Sequence, residues 1–140
     1  MMKKNDQLSS IAPYFIVDDV SDTIGFYCQK LGFEVLWKGE RPLFAIVRRG
    51  GVRLMFRQLK EKGLSTPNRT NHLKAGWHTD AAYAWDAYIW VEDADLLHKQ
   101  FVNKGVSIVR EIENTEYGLR DFEVEDNNGY ILCFGQDLDN

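Results

Sequence analysis

The chain has 140 residues, of which 44% are apolar and 27% are charged, and its formal net charge is −4 at pH 7. This length and composition are typical of a single globular domain, and no apolar run approaches the roughly 20 residues that cross a membrane. The acidic balance argues against nucleic acid as a partner, because phosphate binding needs clustered Lys and Arg, which the chain lacks.

The beginning of the chain and its cysteines indicate a cytoplasmic protein. Residues 1–10 are polar and lack the apolar core of a signal peptide. Cys28 and Cys133 are too few for a disulfide framework, and we interpret both as buried thiols. We therefore expect a protein of a reducing compartment.

The first half of the chain predicts one strand, one helix and three further strands. Alternating apolar residues indicate a strand over residues 12–17. Asp19 or Ser21 can cap a following helix, which Gly32 ends. Turn residues then separate three strands at 33–38, 43–48 and 52–57. We assign residues 10–57 to a first module with the order βαβββ.

The second half repeats this order after a long connection. Residues 58–84 are rich in Gly, Pro, Ser, Thr and Asn, which predicts a loop, and loops this long are often functional. A second βαβββ module follows at residues 85–136. Its strands are expected at 86–91, 107–112, 119–125 and 130–134, with a helix at 94–104 and a hairpin turn at 126–129. Residues 1–140 thus form one domain of two modules.

The two modules also match residue by residue. Tyr14–Val20 reappears 74 residues later as Tyr88–Ala94, and Arg49–Phe56 matches Asn127–Phe134 at an offset of 78. A duplicated unit predicts a pseudo-twofold structure. We expect a ligand site where its halves meet.

Side-chain alternation predicts one apolar and one mixed face for the strands of each module. We expect the apolar face beneath the helices, with Phe15, Val17, Leu54, Phe56, Ile89, Val91, Phe122, Val124, Leu132 and Phe134. The mixed face combines aromatic rings, guanidinium groups and carboxylates, as in the lining of a ligand cup. Its predicted ligand-binding residues are Tyr14, Arg53, Met55, Asp86, Tyr88, Trp90, Asp121, Glu123 and Cys133. Alternatively, the aromatic members only fill a sheet interface.

Several motifs resemble those of the vicinal oxygen chelate superfamily, which includes glyoxalase I, extradiol dioxygenases, and fosfomycin and bleomycin resistance proteins. These motifs are Val17-Asp18-Asp19-Val20, Gly25-Phe26-Tyr27, Leu31-Gly32-Phe33 and the late Asp126-Asn127-Asn128-Gly129 turn. The resemblance covers about residues 10–136. It implies an α+β fold in which two tandem βαβββ modules form a curved mixed sheet with the helices on its outer face.

Enzymes of this superfamily hold a metal ion mostly with His and Glu side chains from the first and last strand of each module. The resemblance and the repeat carry these positions onto Ala12, Met55, Asp86 and Cys133. Alanine has no donor atom, and a thioether, a thiol and one carboxylate suit these divalent metals poorly. We therefore expect no metal and no other cofactor.

Among members without the metal, the chain is most similar to the bleomycin resistance proteins. The similarity lies in Ile11–Phe15, Ala87–Val91 and Glu116–Phe122, although Leu119 separates the glycine from the arginine of the last motif. This resemblance implies a homodimer that sequesters a small molecule, such as a cationic antibiotic of the bleomycin type, at the dimer interface without chemistry.

Three alternatives remain open at this point. The first is a metal-dependent glyoxalase- or dioxygenase-like enzyme that uses Asp86 together with Glu123 or His78. The second is a loop metal site formed by His72, His78 and Asp80. The third is a structural or regulatory dimer without a small ligand. The sequence favours a binding protein over an enzyme.

Overall fold

The computed structural model describes residues 6–61, 67–77 and 81–139, which contain eight strands and three helices. The first module consists of β1 (Tyr14–Val17), α1 (Val20–Lys30), β2 (Glu34–Lys38), β3 (Phe44–Arg49) and β4 (Val52–Gln58). A short helix, α2 (Arg69–Lys74), lies in the connection. The second module consists of β5 (Ala87–Trp90), α3 (Ala94–Asn103), β6 (Ser107–Asn114), β7 (Leu119–Glu125) and β8 (Ile131–Asp137). The predicted α+β class with two tandem βαβββ modules is confirmed.

Each module forms its own four-stranded mixed sheet. The strand orders are β1-β4-β3-β2 and β5-β8-β7-β6, so the first and last strands of each module are neighbours. These neighbours run parallel, whereas the other pairs are antiparallel. Phe15 pairs with Phe56 in the first sheet as Ile89 pairs with Phe134 in the second. The repeat in the sequence therefore corresponds to two modules of equivalent topology and register.

The two long helices begin and end in the same way. Asp19 caps α1 by accepting the backbone N–H of Asp22, and Asp93 caps α3 by accepting that of Leu96. Asp19, one of the two predicted caps, is thus the cap that is used. Gly32 and Gly105 follow the helices with φ of 75°, a left-handed conformation that costs glycine little.

The helices pack on the predicted face of each sheet. We call these helix-covered faces inner, because together with both long helices they share one hydrophobic core. All of the predicted apolar set is buried there or packs against it. The Phe15 ring stacks on Tyr130 across the modules, with centroids 4.2 Å apart and planes 6° from parallel. Each large apolar side chain buried in this way contributes about 1.5–3 kcal/mol. Because the inner faces meet in this core, the outer faces of the sheets remain for other contacts.

Two differences from the predicted elements have simple causes. Strand β1 begins at Tyr14, two residues later than expected, because Pro13 has no N–H and contributes only its carbonyl, which accepts from Met55. Helix α2 was not predicted, and none of its residues is buried, so it has no apolar stripe that periodicity could detect. None of the helices in the described residues is long and apolar enough to span a membrane.

Candidate functional site

A buried ion-paired group lies on the outer face of the second sheet. Strand pairing places Asp121 and Glu123 of β7 beside Arg110 of β6. Arg110 Nη2 is 2.6 Å from Asp121 Oδ1, and its Nε is 2.6 Å from Glu123 Oε2. Both carboxylates are fully buried, and the Arg110 side chain is 8% exposed. Removing Arg110 would leave two uncompensated buried carboxylates, so its guanidinium holds both side chains in place.

Two tyrosines donate hydrogen bonds to the same carboxylate. The hydroxyls of Tyr88 and Tyr117 lie 2.9 Å and 2.6 Å from Asp121 Oδ2. Burial, and next the hydrogen bond to Asp121, raises the pKa of each phenol well above its ordinary value. Both phenols therefore stay protonated at neutral pH and act as donors.

Cys133 lies beneath these groups, and its thiol is unreactive. Its Sγ is 3.8 Å from Arg110 Nη2, and the residue is fully buried. Burial, followed by the negative charges of Asp121 and Glu123, raises the pKa of the thiol well above its ordinary value. A buried neutral thiol is a poor nucleophile and a poor metal ligand.

Five aromatic side chains cover the buried group, and we call them the aromatic layer. Their ring centroids lie 4.8–6.2 Å from their neighbours in the layer. The members are Tyr83, Trp85, Tyr88, Trp90 and Tyr117. Trp90 is the most exposed, at 61%, whereas the carboxylates below are not exposed at all. A molecule in solution therefore meets rings first.

The segment that leads into β5 supplies two members of this layer. Tyr83 has φ of 67°, which is unusual for a residue with a side chain. Its backbone N–H donates to Glu123 Oε1 at 2.8 Å, and Arg110 lies over its ring at 4.5 Å. These contacts hold the segment against the sheet. Trp85 packs on Tyr88, so this end of the connection lies on the sheet.

The aromatic layer also depends on one glycine of β8. Gly135 is opposite Trp90 and Asp121 in the sheet. A Cβ atom at Gly135 would overlap the hydroxyl and ring of Tyr88. The absent side chain is what allows Tyr88 to lie across β8 and reach Asp121.

Unlike the other predicted residues, Asp86 accepts hydrogen bonds from two backbone N–H groups. Its Oδ1 accepts the backbone N–H of Asn68, and its Oδ2 accepts that of Ile131 at 2.8 Å. The carboxylate therefore ties the connection to the beginning of β8. Burial raises its pKa above the ordinary value.

The predicted residues of the first module lie on the outer face of the first sheet. Tyr14 accepts a hydrogen bond from Arg57 Nε at 2.8 Å, and Arg57 lies over the Phe44 ring at 4.6 Å. Tyr14 pairs with Met55 across the sheet, and Arg53 is exposed on the same strand. This face is aromatic and positively charged.

The nine predicted ligand-binding residues therefore form two groups. Tyr14, Arg53 and Met55 belong to the first sheet. Five residues, Tyr88, Trp90, Asp121, Glu123 and Cys133, cluster on the second sheet, and Asp86 lies at its edge. Within the described residues of one chain, no hydrogen bond, ion pair or ring contact joins the two groups. Ligand binding by all nine stays a prediction.

Sequence reasoning missed Arg110, although it is central to the second group. Strand β6 has register shifts on both sides of Arg110, between Ile108 and Arg110 and between Arg110 and Glu113. Counting alternate residues fails across such bulges. The usable signal was a lone arginine in a predicted strand whose successor carries two carboxylates on one face.

The residues at the four metal-ligand positions do not fit a metal ion. Ala12 has no donor, Asp86 already accepts two backbone hydrogen bonds, and the Cys133 thiol holds its proton. Within residues 6–61, 67–77 and 81–139, no three His, Cys, Asp or Glu side chains are grouped to bind one. His78 and Asp80 of the suggested loop site lie outside these residues, and His72 stacks on Trp77.

Comparisons with known proteins agree with this fold. A family model described as the glyoxalase/bleomycin resistance protein/dioxygenase superfamily matches residues 7–134. The chain is 25% identical over 127 residues to bleomycin resistance proteins of Geobacillus stearothermophilus and of Staphylococcus aureus, covering 90% of this chain and 95% of theirs.

Solved structures also share this fold. TioX from Micromonospora sp. ML1 is 22% identical, with a TM-score of 0.69, over 93% of this chain and 99% of its own. The bleomycin-binding protein of Streptomyces verticillus, solved with copper(II)-bleomycin, is 25% identical, with a TM-score of 0.64, over 91% of this chain and 95% of its own.

Proposed function

Because the chain belongs to the glyoxalase/bleomycin resistance protein/dioxygenase superfamily, we propose that it binds a small molecule on the aromatic layer, without metal-dependent chemistry. The observation that carries this proposal is the layer itself, a set of partly exposed rings held by a buried ion-paired group. Stacking a flat group on such rings contributes about 0.5–1.5 kcal/mol for each ring pair beyond the buried area.

The charge beneath the layer favours a cationic ligand. Asp121 and Glu123 carry two formal negative charges and Arg110 one positive charge, which leaves one net negative charge. Glu113 adds another at the rim, 3.4 Å from Arg110 Nη1. A cation that stacks on Trp90 gains from the ring and from this charge together.

One donor of the aromatic layer suggests that the ligand also offers an acceptor. Within the described residues, Trp85 Nε1 is buried without a hydrogen-bond partner. A donor of this kind costs about 1–3 kcal/mol when it is left unsatisfied. A ligand oxygen that reached Trp85 after a small shift of the layer would recover part of this cost.

We further propose that the protein is a homodimer with the ligand cup at its interface. The outer face of the first sheet is aromatic and positive, and the aromatic layer of the second lies over negative charge. Within one chain these two outer faces point away from each other, because the sheets pack together through their inner faces. In a dimer, the outer face of the first sheet of one chain can cover the aromatic layer of the other chain. Tyr14 and Trp37, both about half exposed, would then cover the layer of the partner chain.

An antibiotic of the bleomycin type is the ligand that the relatives suggest. Relatives at 25% identity are named bleomycin resistance proteins, and the Streptomyces verticillus structure contains copper(II)-bleomycin. Such a ligand combines planar rings with positive charge, which fits the aromatic layer. A role in antibiotic resistance by sequestration follows from this proposal, and the free thiols of Cys28 and Cys133 support a cytoplasmic location.

Isothermal titration calorimetry with metal-free and copper-loaded bleomycin tests the ligand. We expect micromolar or tighter binding, with one ligand for each chain. Trp90→Ala should weaken it by about tenfold, the loss of one stacked ring. The control Val102→Ala removes an exposed apolar side chain on α3 and should bind as the wild type does. Absence of binding at micromolar concentrations would remove the antibiotic from the proposal.

Metal analysis and sedimentation test the other parts of the proposal. The purified protein should contain no stoichiometric zinc, nickel, manganese or iron, and any of these would favour the enzyme alternative. Sedimentation should show a dimer at the concentrations used for calorimetry. A monomer that still binds bleomycin would contradict a cup built from two chains.

A further inference from the structure

The two modules meet along two seams that the internal repeat makes equivalent, and one of them is filled by the β7–β8 turn. Asn128 accepts the backbone N–H of Asp18 at 3.2 Å and donates to Thr23 Oγ1 at 3.0 Å. The Tyr130 ring stacks on Phe15 at 4.2 Å, and its hydroxyl donates to the carbonyl of Ile16 at 2.6 Å. We call this the filled seam.

The other seam is formed by the equivalent segments, and the residues of its turn are smaller. At the offset of 78, Gly50 is equivalent to Asn128 and Val52 to Tyr130. At the offset of 74, Ile89 is equivalent to Phe15 and Leu97 to Thr23. Added Cβ atoms at Gly50 and at the neighbouring Gly51 would meet nothing within 4 Å. We call this the open seam.

The missing side chains leave a cleft of about 490 Å³ at the open seam. This volume lies within the range of small-molecule sites. Its walls are mainly apolar and include Val52, Ile89, Leu97, Phe101 and Phe134. The aromatic layer lies on the outer face of the second sheet, whereas this cleft opens between the modules. Of the five members of the layer only Trp90 lines the cleft, so it is a second candidate site.

The polar groups of the cleft favour a neutral ligand with one hydroxyl. Arg49 is already engaged, because it donates to the carbonyl of Leu31 at 2.8 Å and to Gln100 Oε1 at 3.2 Å. Glu92 and Asp93 also line the cleft, so the three charged groups leave one net negative charge and an acid gains little there. Trp90 is the residue equivalent to Ile16 in the repeat, and it lies on the edge strand of its sheet. Its backbone carbonyl therefore corresponds to the Ile16 carbonyl, which accepts the hydroxyl of Tyr130 in the filled seam.

We propose that the open seam binds a small neutral phenol, with the ring in the place that Tyr130 occupies in the filled seam. The ring packs between Ile89 and Leu97, and the hydroxyl donates to the carbonyl of Trp90. The protein thus has a second ligand site, and this site does not depend on whether the aromatic layer binds an antibiotic.

The test uses 4-methylphenol, which reproduces the tyrosine side chain, in an NMR titration of the ¹⁵N-labelled full chain. Saturable shifts are expected at the amides of Gly50, Gly51, Ile89 and Leu97. Toluene, which lacks the hydroxyl, should bind about tenfold more weakly, the loss of one hydrogen bond. Shifts confined to the amides around Tyr117, or no saturation up to the solubility limit, would overturn the proposal.

Two variants fill the cleft and one control leaves it open. Val52→Tyr places in the open seam the residue that fills the other one, and Leu97→Phe fills it from α3, so both should abolish the shifts. The spectrum of each variant reports whether it is folded. Val35→Tyr adds the same side chain at a partly exposed position of β2 outside the cleft and should bind as the wild type does. Wild-type affinity in a folded Val52→Tyr or Leu97→Phe variant would refute the site.

Discussion

Replacing Asp126 with asparagine should stabilise the protein at neutral pH, because the carboxylate is buried between the modules. Asp126 is 6% exposed. Its Oδ2 accepts from the hydroxyl of Tyr27 at 2.6 Å, and its Oδ1 accepts the backbone N–H groups of Asn128 and Tyr130 at 2.8 Å and 2.9 Å. Asparagine keeps the oxygen that serves both backbone groups and removes the buried charge.

The size of the effect follows from the pKa of this carboxyl. Burial, only partly offset by the hydrogen bonds, raises the pKa of Asp126 from 3.8 to about 6 in the folded protein, and the nearby charge of Asp86 adds to the rise. The folded state therefore binds the proton more tightly than the unfolded state does. The resulting stability is full below the unfolded pKa and is lost as pH rises through about 6. A difference of about two pKa units corresponds to about 3 kcal/mol.

Asp126→Asn should therefore raise the free energy of unfolding by about 1–3 kcal/mol above pH 7, with the lower values reflecting the altered bond to Tyr27. Near pH 4 this gain should vanish, because Asp126 is then protonated in the folded wild type. Urea unfolding from about pH 4 to about pH 8 measures both limits. Asp139→Asn, which changes an exposed carboxylate, should follow the wild type. Parallel pH profiles for Asp126→Asn and the wild type would refute the reasoning.

The buried ion-paired group and the glycine beneath the aromatic layer give two further predictions. Arg110→Met should lower the free energy of unfolding by about 3–5 kcal/mol in urea titrations, since it leaves two buried carboxylates unpaired. Adding Asp121→Asn and Glu123→Gln should recover much of the loss, and no recovery would contradict the charge argument. Gly135→Ala should cost about 1–3 kcal/mol by overlap with Tyr88. In a Tyr88→Ala background the same change should cost almost nothing, and an equal cost would exclude the overlap as its cause.

The fold could be predicted from the sequence because its signals are repeated and periodic. The match of Tyr14–Val20 with Tyr88–Ala94 identified two modules, and alternation separated core from outer residues in both. The limits of β7 were predicted as they are observed, since Gly118 and the turn at 126–129 bound it on both sides. Helix α2, which has no buried residue, carried no periodic signal.

The candidate site was predictable only where it lies on regular strands. Alternation placed Tyr88, Asp121 and Glu123 on one face, as observed. It could not find Arg110, because β6 has bulges on both sides of this residue. Alternation also could not show that residues 81–85 fold over the carboxylates. This fold depends on contacts between residues far apart in the chain, such as Tyr83 and Glu123.

The shared core has a consequence for how such a chain could arise. A single module would expose the inner face that Phe15 and Tyr130 now close together, so it would need a second copy of itself to be stable. In a symmetric pair of identical modules, any substitution appears at both seams at once. Fusion into one chain removes this constraint, and Tyr130 and Val52 can then differ. In the duplicated chain, one seam can therefore be closed for stability while the other stays open for a small molecule.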